Sequence, residues 1–140
     1  MNEFEQFREL LDEDEVFYKV DEFDDGRHIF RIPHKLKSGG MVEIVVIFED
    51  DNIKILIMKL GNVEDPEKKA MCYELFNDLN YTYKYYKIYL DSDGDVMIAC
   101  DVAMDVCRGE FYPKVLMAYI GSALRVASEV YPKIMKILWA

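Results

Sequence analysis

Histidine is scarce in this 140-residue chain: His28 and His34 are the only two. Any Ser-His or Cys-His nucleophilic pair must use one of them, and no G-x-S-x-G elbow accompanies them. Their spacing of six would place both on one strand face if Pro33 did not interrupt the period. Two histidines and a distant acid make a thin metal site. Cysteine is equally sparse. Cys72, Cys100 and Cys107 are odd in number and form no C-x-x-C pair, which excludes a disulfide scaffold and a zinc ribbon and points to reduced thiols. Lys37-Ser38-Gly39-Gly40 lacks the G-x-x-x-x-G-K-[ST] order of a P-loop and reads as a hairpin turn. No apolar run approaches the ~20 residues of a membrane span. The start, MNEFEQFREL, has no basic stretch followed by an apolar one, so no secretory signal is read there and a cytoplasmic protein is expected. Paired carboxylates are too plentiful for any one pair to mark catalysis.

Positive charge is also short. Seventeen Lys and Arg face 27 Asp and Glu, for a net charge of −10. Nucleic acid and anionic membrane are therefore poor partners, because both are held mainly by Lys and Arg. The imbalance is concentrated: residues 1–25 carry eleven acids against Arg8 and Lys19, while residues 112–140 carry Lys114, Arg125, Lys133 and Lys136 against Glu129. A solvated acidic face explains this; contact between the acidic N-terminus and the basic last helix, within a chain or across a dimer, is the sharper alternative.

What is abundant is apolar material, 51% of residues, enough for the core of one domain spanning 1–140. Asn2 and Glu5 have capping-box spacing, and Phe4, Phe7, Leu10 and Leu11 follow at helical spacing to about Asp12. Val16 to Phe23, His28 to Ile32 (with Pro33 at its end or an edge), Val42 to Phe48 and Ile53 to Met58 read as strands joined by short turns. Asp65-Pro66 opens a second helix that ends over Asn77 to Asn80. Tyr83 to Leu90 and Val96 to Met104 are further strands. Pro113 begins a last helix that Pro132 should kink or divide. The order α-β-β-β-β-α-β-β-α predicts an α+β fold, an antiparallel meander with helices packed on it.

Two stretches invite a functional reading. Leu90-Asp91-Ser92-Asp93-Gly94-Asp95-Val96 resembles a calcium loop, but an EF-hand needs glycine at position 6 and glutamate at position 12. With Gly94 at 6, positions 1 and 12 become Tyr89 and Cys100; with Asp91 at 1, positions 6 and 12 become Val96 and Val102. Both registers fail, and Asp93-Gly94 between apolar runs is a hairpin signal. The second stretch is Tyr81 to Tyr89, with five tyrosines. Strand alternation would set Tyr83, Tyr85 and Tyr89 on one face and Tyr86, Ile88 and Leu90 on the other. The first three are candidate protein-binding residues, since tyrosine is enriched where proteins meet.

Phe76-Asn77-Asp78-Leu79-Asn80, Lys87-Ile88-Tyr89-Leu90, the Asp91–Gly94 turn, Asp101-Val102 and Tyr131-Pro132 together resemble the YbjN family of bacterial sensory transduction regulators. The resemblance is carried by residues 60–140, and by element order alone before them. It implies a fold similar to type III secretion chaperones and a non-enzymatic interaction domain without catalytic residues or cofactor. The expected partners are an unidentified protein and a second copy of the chain, giving a homodimer. The competing expectation is a small-molecule binder or enzyme with a pocket between sheet and helices, drawing on His28, His34 and the thiols.

Overall fold

The structure is a computed structural model and describes residues 2–103 and 111–140. Helix α1 spans Glu3–Glu13; the side chain of its N-cap, Asn2, accepts from the Glu5 N–H at 2.8 Å, satisfying one of the unpaired donors of the first turn. The helix buries Phe4, Phe7 and Leu11. Four strands follow: β1 Lys19–Glu22, β2 His28–Lys35, β3 Met41–Phe48 and β4 Asn52–Met58. Helix α2, Pro66–Thr82, starts on an Asp65 cap with proline at its first position. The hairpin of β5, Lys87–Leu90, and β6, Val96–Ala103, precedes helix α3, Pro113–Leu138. The order is the one expected from the sequence.

The six strands form one antiparallel sheet in the order β1-β2-β3-β4-β6-β5. The meander holds from β1 to β4; β6 then docks on β4 and leaves β5 at the edge. Alternation sends Phe30, Val46, Ile55 and Ile98 to one side, where they join Phe7, Phe76, Ile120 and Ile134 from the helices in a single core. Burying such side chains contributes about 1.5–3 kcal/mol each before the entropy of ordering is subtracted.

Several boundaries differ from expectation for visible reasons. The first strand is only four residues, because the chain leaves α1 through a turn in which Glu15 has φ of 55° and the Val16 N–H still donates to Leu11 O at 2.9 Å. Strand β2 runs through Pro33 to Lys35. It can do so because β1 begins at Lys19, opposite Arg31, leaving that side of β2 an edge at Pro33. Helix α2 passes through Asn77 and Asn80 to Thr82. The Asn80 side chain does not compete with the helix; it donates to Ile88 O at 3.0 Å and accepts from Ile88 N at 2.8 Å, tying α2 to β5. Helix α3 continues through Pro132 without dividing. Met104, the expected end of the sixth strand, lies outside the described residues, as does Cys107.

Candidate functional site

The three tyrosines expected on one strand face are separated, because the strand begins at Lys87 rather than at Tyr83. Tyr83 is the C-cap of α2, half-buried against the core, with its hydroxyl donating to the Glu129 carboxylate of α3. Tyr85 has φ of 72°, a left-handed conformation, and stands 75% exposed, edge-on to Tyr119. Tyr86 lies on the core side with Ile88 and Leu90, the facing expected from alternation, and its hydroxyl donates to Tyr119 O at 2.9 Å. Only Tyr89 lies on a strand, with the Lys87 ammonium 6.0 Å from its ring centre.

Burial, and then donation to Glu129, push the Tyr83 phenol up to about 12 from 10.0. A phenol whose pKa rises on folding stabilises the fold in full below its unfolded value, and that contribution disappears as pH climbs from 10 toward 12. Wild type should therefore lose more stability across that interval than Tyr83→Phe, as read from urea midpoints at each pH; parallel losses would contradict the Tyr83–Glu129 contact.

The remaining candidates are scattered. His28 and His34 stand six residues apart on β2, about 20 Å along an extended strand. His28 stacks on Phe4 at 4.3 Å and lines a 250 Å³ surface hollow with Asn2, Glu3, Glu49 and Asp50. Its Nδ1 is buried without a hydrogen bond, with Glu22 at 3.8 Å. Cys72 and Cys100 are buried, and desolvation raises both thiols, which works against a thiolate nucleophile. The space between sheet and helices is filled by the core side chains. A larger hollow, 550 Å³, lies on the surface and is lined by Glu9 and Glu13 of α1 and Lys114 of α3. No ion pair joins the acidic N-terminus to α3 among the described residues; Asp21 and Asp25 pair locally with Arg31 and Arg27.

The Asp91–Asp95 stretch is the hairpin turn. Gly94 has φ of +81°, and a Cβ there would lie 2.4 Å from Val63 O, so both backbone and space require glycine. Asp91, Asp93 and Asp95 bring carboxylate oxygens within 4.8 Å of one another. Asp91 Oδ1 accepts from the N–H groups of Asp93 and Asp95, each at 2.9 Å, and Asp95 accepts from Asn62 at 2.8 Å. Those acceptors hold the turn against residues 61–63.

The feature that composition did not disclose is the second face of the sheet. Ile29, Val45, Met97 and Ala99 are each no more than 5% exposed, yet none belongs to the helix-covered core. Alternation places them opposite Phe30, Val46 and Ile98, with Ile47, Leu56, Met58 and Tyr89 beside them. Leu56 sits at the middle of this face, in register with Val45 on β3 and Ala99 on β6. Among the described residues, no helix packs on it. Ion pairs frame the apolar centre: Arg31 bridges Asp21 at 2.6 Å and Glu43 at 3.0 Å, and Lys87 approaches Asp101 at 4.0 Å. The arrangement offers contact area without a catalytic constellation.

No helix among the described residues is long and apolar enough to cross a membrane. A comparison with curated proteins finds no match. The family model described as "YbjN: Putative bacterial sensory transduction regulator" matches residues 3–135. The match therefore takes in the first four strands as well as the half of the chain that carries the motifs. With its helix, antiparallel sheet and packed helices accounted for over nearly the whole length, the chain belongs to the YbjN family.

Proposed function

We propose that this chain is a non-enzymatic, cytoplasmic protein-interaction domain with a regulatory role, chaperone-like in fold, that acts as a homodimer. The observation that carries this reading is a sheet that the helices, among the described residues, cover on one side only, with an apolar centre bordered by ion pairs on the other. Ile47, Leu56, Met58 and Tyr89 on that side are only partly buried, and a partner that covers them gains their burial. Self-association belongs to the neighbouring edge, where β5 ends the sheet and Tyr81 and Tyr85 are exposed.

Sedimentation velocity over a concentration series tests the homodimer. Wild type should sediment as a dimer, and Tyr85→Ala should weaken the dimer about tenfold, within the range of an interface aromatic, while keeping its urea midpoint. A strict monomer, or a variant as dimeric as wild type, would contradict that part of the proposal. A second reading, a small-molecule binder, rests on the hollow beside His28 and its buried Nδ1. A metabolite that raises the melting temperature of wild type but not of His28→Ala would favour it over the first.

A further inference from the structure

The uncovered sheet face has a charge opposite to that of the chain. Strand alternation assigns it five cations, Lys19, Arg31, Lys35, Lys54 and Lys87, against three carboxylates, Asp21, Glu43 and Asp101. The chain as a whole is −10, so the rest of its surface is more acidic still. The three carboxylates are already engaged: Asp21 and Glu43 by Arg31, and Asp101 by Asn52 at 2.8 Å and Lys87. Lys19, Lys35 and Lys54 have no ion pair among the described residues. Free positive charge therefore rims an apolar centre, on a protein with few cations to place.

We propose that this face takes an acidic amphipathic helix of another protein, with an apolar stripe over Leu56 and carboxylates reaching Lys54 and Lys87. The proposal rests on the interaction reading above and adds the chemistry of the partner. A helix is the element that already covers the opposite face of this sheet, and a sheet face accepts one readily. Its acidic flanks meet the Lys54 ammonium, which has no ion pair among the described residues, and the Lys87 ammonium, held only at 4.0 Å from Asp101, which favours encounter and fixes orientation. A second copy laid face to face would set the two excesses of positive charge against each other. Nucleic acid would meet the same cations, but its stacked duplex offers nothing to the apolar centre, and the remaining surface repels it.

The test uses the intact chain and two labelled synthetic peptides of about 18 residues, long enough to hold a helix. Both carry leucines at spacings of three and four; one has glutamates flanking the stripe, and its twin has lysines there. The glutamate peptide should bind wild type, weaken with added salt, and lose at least tenfold in affinity to Lys54→Glu/Lys87→Glu, whose substitutions lie on solvent-reaching side chains. The lysine twin should bind wild type more weakly and the reversed variant more tightly. Equal binding of both peptides, or equal binding of the glutamate peptide to both proteins, would overturn the charge assignment while leaving the interaction reading standing. If neither peptide binds and Leu56→Glu abolishes self-association, the face is closed by a second copy and the proposal fails. If neither binds and Leu56→Glu changes nothing, the face is not a docking surface at all.

Discussion

Replacing Phe30 with alanine should cost about 3–5 kcal/mol of unfolding free energy, the range for truncating a buried phenylalanine. Phe30 is fully buried at the centre of an aromatic cluster. Its ring lies 4.8 Å from Phe4, 5.2 Å from Phe7, 5.4 Å from Tyr18 and 5.8 Å from Phe48. These partners come from α1, from the segment leading to β1, and from β3. One side chain thus joins the N-terminal helix to the sheet, and its loss leaves a cavity whose walls belong to separate elements. Aromatic pairs at these separations add about 0.5–1.5 kcal/mol beyond area burial. A domain of this size has about 5–15 kcal/mol in total. Urea unfolding of the variant should show a much lowered midpoint, with α1 released first in hydrogen exchange. A cost under about 1 kcal/mol would mean that α1 is not seated on β2 and β3 as described.

The N-caps of α1 and α2, the turn at Gly94 and the runs of β3 and β4 were legible in the sequence because each is local. Asn2 with Glu5, and Asp65 with Pro66, act within one helical turn. Asp93-Gly94 sits between apolar runs and needs no distant partner to be read. The tyrosine stretch failed as a strand because its neighbours decide it. Asn80 gives its side chain to Ile88, α2 runs on to Thr82, and Tyr85 turns left-handed, so alternation begins only at Lys87. Nothing in the spacing of the tyrosines carries that information.

The uncovered face was hidden for a different reason. Strand β3 is apolar on both sides, Val45 and Ile47 opposite Val46 and Phe48, so its pattern does not say which side the helices take. The positive charge of the face comes from five residues spread over four strands. Lys54 and Lys87 are 33 positions apart in sequence, and only the pairing of β4 with β6 and β6 with β5 brings them to one surface. A net charge of −10 conceals a local excess of cations that exists only once the register is known.

The second large effect follows from that surface. Leu56→Glu puts a carboxylate at the middle of the apolar face, in register with Val45 and Ala99. Leu56 is half-buried and outside the helix-covered core, so the cost to folding should be about 1–2 kcal/mol. The cost to binding should be far larger, because any partner covering the face would bury that charge unpaired, a penalty of about 3–5 kcal/mol or a factor of about a hundred to a few thousand in affinity.

The measurement that tests the central claim most directly is a pull-down from the source cell's lysate, run in parallel with tagged wild type and tagged Leu56→Glu, at low and at high salt. The account predicts a stoichiometric protein partner on wild type, weakened by salt and missing from the variant, with both baits folded by circular dichroism. A partner held equally by both baits, or none held by wild type at either salt, would contradict it.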